Sequence, residues 1–339
     1  MIREAISQLV GGKHLSPVEA EAVMTEIMTG EATPVQIGSF LTALRMMGET
    51  ADEIAGCVRA TRDNVIAVHP RAPLLVDTAG TGGDGAHTYN ISTTAAFVVA
   101  GAGLTVAKHG NRAISSKAGS ADVLMALGVN LNLTPTQAAN CIDTVGIGFL
   151  FAPNLHPAMK HAIGPRRELG IRTVFNILGP LSNPAGANVQ LVGVYDPKLT
   201  ALMASVLQTL GGKAAFVVHG AGGLDELNTI GPNQVSQFNG SGMRHYILDP
   251  ADLGLARATR DDLRGGTPDE NAAIMRQVLG GESGPRRDTV LLNASAAFVA
   301  AGVVQDLREG LALGADSIAS GRATQKLDQL IAFTKQVAA

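Results

Sequence analysis

A chain of 339 residues, 46% hydrophobic, 16% charged and carrying 40 glycines, has material for a large core and, at roughly 150 residues per domain, for about two domains. A net charge of −3 gives no overall basic field and so argues against a nucleic-acid partner, and no apolar run reaches the roughly 20 residues that span a bilayer. Cys57 and Cys141 stand far apart in helix-like contexts without metal-ligand spacing, which predicts two buried thiols in a reducing, cytoplasmic compartment and no disulfide framework.

The chain opens on an amphipathic stretch from Met1 to Val10, and then one helix-start signature recurs. Ser16, Pro17 and Glu19 supply a capping hydroxyl, a proline at the first helical position and a glutamate able to reach back, with Gly30 as the stop. Thr33, Pro34 and Gln36 repeat the device with Gly48 as the stop, and Thr50 with Glu53 precedes Ile54, Cys57 and Val58, spaced for one buried face. Residues 1–68 are therefore predicted to form a small helical domain that ends before Pro70.

From Leu74 onward short apolar runs alternate with helical stretches. Strands are expected at Leu74–Asp77, Leu104–Ala107, Ile147–Phe151, Val189–Tyr195 and Ala214–His219, with helices near 92–102, 120–127, 134–145 and 198–210. This alternation predicts an α/β domain over 69–339 with a mostly parallel central sheet covered by helices. Val235–Phe238 and His245–Leu248 flank Asn239 and Gly240, a turn pair that predicts a hairpin or antiparallel excursion, and helical pieces return from Pro268 to Ala339.

The chemistry-bearing residues cluster after the first two of these strands. Gly80, Thr81, Gly82, Gly83, Asp84 and Gly85 match G-x-G-x-x-G, a weak signal alone, since a dinucleotide site requires an acidic residue about 20 positions on. The chain places Lys108, His109, Gly110, Asn111 and Arg112 there instead, followed by Ser115 and Ser116. Two glycine-rich or basic segments at one edge of a parallel sheet suit a multiply phosphorylated ligand better than two structural turns. Between them Thr88, Asn90, Ser92, Thr93 and Thr94 open a helix whose hydroxyls can cap it and also face a phosphate at the positive end of its dipole. Asp225 and Glu226, an adjacent acidic pair after the strand ending at His219, suit either a solvated turn or a Mg2+ site completed by substrate phosphates.

The run from Asp77 to Leu127 resembles the phosphoribosyl pyrophosphate site of the anthranilate phosphoribosyltransferases. The Gly-Thr-Gly-Gly-Asp loop, the Asn-x-Ser-Thr segment and Lys-His-Gly-Asn-Arg followed by paired serines occur in order. The stretch through His156, Met159, Arg166, Gly170, Thr173, Asn176, Gly179, Pro180, Asn183 and Pro184 is similar to the same family, as is Gly223-Leu224-Asp225-Glu226. The resemblance implies that Gly80, Gly83, Asp84, Thr88, Asn90, Ile91, Ser92 and Thr93 contact ribose and phosphates. It further implies that Lys108, His109, Gly110, Asn111, Arg112, Ala113, Ile114, Ser115, Ser116 and Ser120 wrap the pyrophosphate. Asp225, Glu226 and Ser92 are implied Mg2+ ligands, with two ions expected. Arg166, with Asn111 and Gly80, is implied to hold anthranilate, in a pocket shaped by His109, His156, Gly179 and Pro180; spacing alone leaves Arg166 equally readable as a surface arginine beside Arg167.

The implied activity is transfer of the 5-phosphoribosyl group to the anthranilate amine, a step of tryptophan biosynthesis, with no dedicated acid or base and His109 at most an optional one. The implied assembly is a homodimer formed through the amino-terminal helices. Two rivals stand beside this reading: a pyrimidine nucleoside phosphorylase, which shares the two-domain plan but uses a different phosphate loop, and a non-catalytic relative that binds nucleic acid through a basic surface.

Overall fold

The computed structural model describes residues 1–113, 117–240 and 242–337. Four helices open the chain: α1 (Ile2–Val10), α2 (Pro17–Thr29), α3 (Pro34–Met47) and α4 (Ala51–Asp63). Their starts are chemically specified. The Ser16, Thr33 and Thr50 hydroxyls accept from the backbone N–H three residues on, and the Glu19, Gln36 and Glu53 side chains close the reciprocal bond. Glu53 is fully buried and also accepts from the Leu15 backbone N–H at 2.9 Å, so one carboxylate caps α4 and pins the α1–α2 link.

A seven-stranded sheet follows. Strands β1 (Val76–Gly80), β2 (Val106–Gly110), β3 (Ile147–Phe151), β4 (Val189–Gly193) and β5 (Ala214–His219) run parallel. Strands β6 (Asn233–Asn239) and β7 (Gly242–Leu248) form the antiparallel hairpin at the edge, and the spatial order is β3-β2-β1-β4-β5-β6-β7. The chain leaves β1 toward β2 and β3 on one side and returns to β4 on the other. Strand order therefore reverses between β1 and β4, and in open parallel sheets the crevice at the carboxyl ends of such a pair is where ligands bind.

Between the strands run α5 (Ile91–Gly101), α6 (Ser120–Ala126), α7 (Pro135–Val145), α8 (Ala152–Leu155), α9 (Lys160–Leu169), α10 (Phe175–Leu181) and α11 (Leu199–Thr209). The chain ends in α12 (Pro268–Leu279), α13 (Pro285–Ala301), α14 (Leu307–Ala319) and α15 (Arg322–Gln336). Among the described residues no helix is long and apolar enough to cross a membrane.

Successive residues of β4 and β5 alternate between two cores. Val192, Ala215 and Val217 face a cluster shared with α1–α4 and α9–α11, whereas Leu191, Phe216 and Val218 face α13. The amino-terminal helices thus complete their core against the α/β part rather than alone. Helix α5 packs beneath the site against α13, α14 and α15.

Two strand boundaries differ from the sequence expectation in a way that moves site residues. β1 runs on to Gly80 rather than ending at Asp77, and β2 runs on to Gly110 rather than ending at Ala107. Lys108, His109 and Gly110 pair with Phe149, Leu150 and Phe151 of β3, so they belong to the strand and not to the turn after it. A buried strand accepts Lys108 because its ammonium donates to the Thr78 carbonyl.

Candidate active site

The glycine loop and the acidic pair meet above the reversal point between β1 and β4. Gly80 and Gly193 are register partners at the ends of these strands, and Asp225 lies directly over both. A Cβ on Gly193 would fall 1.5 Å from the Asp225 carbonyl oxygen, and one on Gly80 would fall 2.3 Å from its Oδ2, so only glycine permits the approach. The Gly82 N–H donates to Asp225 Oδ2 at 2.7 Å, and the Asp225 N–H reaches Asp84 Oδ2 at 3.4 Å. Gly82, Gly83 and Gly85 all have φ between 68° and 77°, which turns the loop without side chains in its path.

Glu226, the second carboxylate, accepts from the Ser92 N–H at 3.1 Å at the start of α5. The Ser92 carbonyl in turn accepts from Thr78 Oγ1 at 2.9 Å. Burial, reinforced by the Asp84 and Glu226 charges, holds the Asp225 carboxyl well above the usual carboxylate range. Burial pushes Glu226 up to about 7, with the Lys108 charge and the Ser92 hydroxyl opposing the rise. Among the described residues no three His, Cys, Asp or Glu side chains could cage a metal ion by themselves. Two buried carboxylates short of positive charge, beside a loop and helix start that offer N–H groups, instead fit Mg2+, which takes few protein oxygens and shares its shell with phosphates.

The remaining residues expected to contact phosphate follow the same edge, at the start of α5 and beyond the end of β2. Thr88 forms an isolated bridge with Arg264, and Ile91 and Thr93 are buried at the first turn of α5. The Asn90 amide is fixed on both sides, donating to the Ala118 carbonyl at 3.2 Å and accepting from Asn271 Nδ2 at 2.9 Å. Asn111 holds the next turn: its side-chain oxygen accepts from Arg112 N–H at 2.7 Å and its carbonyl from Ser120 Oγ at 3.2 Å. The exposed Arg112 guanidinium stands 5.8 Å from the Phe151 ring centroid, and Ala113 N–H donates to Asp122 Oδ2 at 2.9 Å. Ile114, Ser115 and Ser116 lie outside the described residues.

Beneath these residues lies a buried polar network. Asp77 accepts from Asn183 Nδ2 at 2.8 Å and from the His109 N–H at 3.2 Å, and burial raises its carboxyl to about 6 against the pull of Lys108. Lys108, which is itself buried and has its ammonium pKa lowered chiefly by burial, stands between Asp77 and Glu226 in charge. On the other flank His109 Nδ1 is 3.2 Å from the Gly179 carbonyl and its Nε2 is 3.1 Å from His156 Nε2. A carbonyl only accepts, so His109 carries its proton on Nδ1 and its Nε2 must accept from His156 Nε2–H. Both rings are then neutral and the His109 lone pair is already used, which leaves no base at that position. Burial holds His109 at about 3 and His156 at about 4.

This pair sets an acid limit on stability. The folded rings stay neutral while the unfolded chain takes up protons below about 6.5, so the stabilisation is complete above that pH and is lost as pH falls toward 4 and then 3. The expected slope in that window is about 1.4 kcal/mol per pH unit for each histidine. Urea unfolding between pH 7 and 4 should show a shallower acid limb for His109→Gln with His156→Gln than for the parent; equal slopes would mean that the rings are protonated in the fold.

Arg166 sits on α9, half-buried, with its guanidinium 4.9 Å from the Phe175 ring centroid. Burial lowers its pKa, and no carboxylate among the described residues opposes that fall. That burial separates it from the exposed Arg167. Sequence reasoning did not single out Gly193, Asn271, Arg172 or Tyr195, each of which holds part of this site from more than 30 residues away in the chain. The one signal present was the short spacing of Arg172 from Gly170 and Asn176.

The description "Glycosyl transferase family, a/b domain" matches residues 72–324, and "Glycosyl transferase family, helical bundle domain" matches residues 3–65. An anthranilate phosphoribosyltransferase of Symbiobacterium thermophilum is 56% identical over 338 residues, covering 100% of this chain and 99% of that protein. The crystal structure of the anthranilate phosphoribosyltransferase of Thermus thermophilus superposes with a TM-score of 0.93 at 47% identity, covering 98% of this chain and 99% of that one. The Saccharomyces cerevisiae enzyme in complex with PRPP and Mg superposes with a TM-score of 0.90 at 30% identity, covering 99% and 98% of the two chains.

Proposed function

Because the chain belongs to the anthranilate phosphoribosyltransferase family, we infer that it transfers the 5-phosphoribosyl group of phosphoribosyl pyrophosphate to the amino group of anthranilate, releasing pyrophosphate. The observation that carries this reading is the meeting of the glycine loop, the α5 start and the buried Asp225–Glu226 pair at one sheet edge, with the half-buried Arg166 six residues before Arg172, which touches that loop. A donor with about four negative charges and an acceptor with one carboxylate match that charge pattern.

We infer that the enzyme uses Mg2+, a reading supported by the Saccharomyces cerevisiae relative in complex with PRPP and Mg. We propose two ions, which Asp225, Glu226 and Ser92 would hold together with substrate oxygens; metal bound there would supply positive charge against the pyrophosphate. Gly80, Gly83, Asp84, Thr88, Asn90, Ile91, Ser92 and Thr93 are assigned to ribose and phosphate. Lys108 to Arg112, with Ala113, Ile114, Ser115, Ser116 and Ser120, are assigned to the pyrophosphate side. The Asn90 amide and the Lys108 ammonium must exchange a present protein partner for phosphate if they bind it directly. Arg166, Asn111 and Gly80 are assigned to anthranilate, over the neutral floor made by His109 and His156.

In the reaction the amine nitrogen bonds the anomeric carbon as its bond to pyrophosphate oxygen breaks, through an oxocarbenium-like transition state. The nitrogen becomes strongly acidic once it bonds carbon, so its proton passes to water or to the departing pyrophosphate. No side chain has to act as base, in keeping with the occupied lone pair of His109. The protein contributes alignment of the two substrates and charge neutralisation, each able to supply several kcal/mol. Mixing the protein with Mg2+, phosphoribosyl pyrophosphate and anthranilate should consume anthranilate fluorescence; no loss of fluorescence under those conditions would overturn the assignment.

We also propose a homodimer formed through the amino-terminal helices of residues 1–68. Val35, Ser39, Thr42 and Met46 fall on one face of α3, and Val35 and Met46 are 78% and 83% exposed, an unusual presentation of large apolar side chains. Light scattering at micromolar concentration should give a dimer mass, and Val35→Asp with Met46→Asp should give a monomer. A monomer mass for the parent protein rules the assembly out.

A further inference from the structure

The glycine loop is held chiefly from outside: Asp225 accepts from the Gly82 N–H and donates its own N–H to Asp84, while within the loop Asp84 Oδ1 accepts from the Ala86 N–H at 3.1 Å. Gly82, Gly83 and Gly85 carry no side chains, all have positive φ, and a Cβ on Gly82 or Gly85 would meet nothing within 4 Å. From the sheet side the loop is tied by Thr81, whose N–H donates to the Gly193 carbonyl at 2.9 Å and whose hydroxyl accepts from the Tyr195 N–H at 3.2 Å. From the solvent side, among the described residues, Arg172 grips it by donating from Nη2 to the Gly83 carbonyl. The Arg172 guanidinium lies 4.0 Å from the Tyr195 ring centroid, so Tyr195 touches the loop twice, through its own N–H and through the arginine stacked on its ring.

Arg172 stands in the short link between α9 and α10, two residues beyond the left-handed Gly170 and six beyond Arg166. Phe175, whose ring carries Arg166, begins α10 on the far side of the same link. One short segment therefore reaches the acceptor side through Arg166 and Phe175, and the donor side through Arg172.

We propose that Arg172 is a positioning residue that latches the glycine loop, by the Gly83 carbonyl and over the Tyr195 ring, to the segment carrying the acceptor anchor. The proposal rests on the reading that this loop holds the phosphoribosyl donor. With the latch closed, the loop's amides and Asp84 keep a fixed height relative to Arg166, so donor and acceptor are aligned before they bind. Without it the loop must be ordered at the expense of donor affinity, and the alignment of the reacting atoms loosens. A guanidinium suits the role because its flat face stacks while its edge donates; an ammonium cannot do both.

The test compares the full-length parent with Arg172→Met, Arg172→Lys, Tyr195→Leu and the Arg172→Met/Tyr195→Leu double variant. Arg172→Met should raise KM for phosphoribosyl pyrophosphate roughly 3- to 10-fold and lower kcat, with KM for anthranilate unchanged. Lysine should not restore the parent values. Tyr195→Leu should act in the same direction, and the double variant should lose less than the product of the single effects. Independently of turnover, hydrogen exchange at the amides of Gly82 to Gly85 should be faster in Arg172→Met than in the parent protein. Unchanged exchange together with an unchanged donor KM overturns the latch, as does a rise confined to the anthranilate KM, which would make Arg172 an acceptor ligand. A parent protein that does not consume anthranilate overturns the functional reading instead, and the exchange comparison still decides the latch.

Discussion

Replacing the acidic pair by its amides, Asp225→Asn with Glu226→Gln, should reduce turnover by at least roughly 10³-fold at every Mg2+ concentration while leaving the fold intact. The amides keep the shape of the site, including an acceptor for the Gly82 and Ser92 N–H groups, and remove only charge. Stability should move the other way. Burial, with the Asp84 charge adding to it, raises both carboxyls above their unfolded values, Glu226 to about 7, so the metal-free fold holds protons that the unfolded chain has released. The parent protein therefore loses stability as pH rises from about 4.5 through 7, and the amide variant is spared that loss. Thermal melts without metal should show the variant's relative advantage growing across that window, and Mg2+ should raise the midpoint of the parent only. Activity that survives in the variant would return the pair to a solvated turn, and a midpoint lowered at pH 8 would mean that the carboxylates are held by favourable partners instead.

Arg166→Ala should raise KM for anthranilate roughly 10- to 150-fold, the loss of one charge-assisted contact of about 1.5 to 3 kcal/mol. The guanidinium is half-buried against the Phe175 ring and its pKa is lowered by burial, with no carboxylate among the described residues opposing that fall, which suits a cation that pairs with a bound carboxylate. KM for phosphoribosyl pyrophosphate should barely change, since the proposed donor contacts lie in the loop, at the α5 start and at the acidic pair. The contrast with Arg172 is direct: one arginine should move the acceptor constant, the other the donor constant. Steady-state kinetics with each substrate varied in turn measures both. If both constants rise together in Arg166→Ala, or neither does, Arg166 is not the carboxylate anchor.

The features legible in the sequence are those whose physics is local. A capping hydroxyl, a proline at the first helical position and a returning glutamate act within four residues, so α2, α3 and α4 could be placed from Ser16, Thr33 and Thr50 alone. The apolar runs of β3, β4 and β5 and the Asn239–Gly240 turn are likewise local, and they were enough to expect a mostly parallel sheet with an antiparallel edge. The glycine loop, the basic segment after it and the acidic pair were visible as residue types at fixed spacing, and resemblance supplied their order. The helices α8 to α10, which carry Arg166 and flank Arg172, were not read because Pro157, Pro165, Gly170 and Pro180 break the periodic pattern there.

What tertiary structure alone decided are the contacts between residues far apart in the chain. Lys108 and His109 extend β2 beyond its apolar run, and Asp77 stays buried at the end of its own, because their polar atoms find the Thr78 carbonyl, the Gly179 carbonyl and Asn183, partners that no window of sequence contains. Gly193 looked like any strand-end glycine until Asp225 was seen lying 1.5 Å from where its Cβ would stand. Composition and short-range pattern determine which elements form and which charges a site can muster. Only the packed chain determines which buried polar group is satisfied by which distant partner, because that free energy exists only once both have left water.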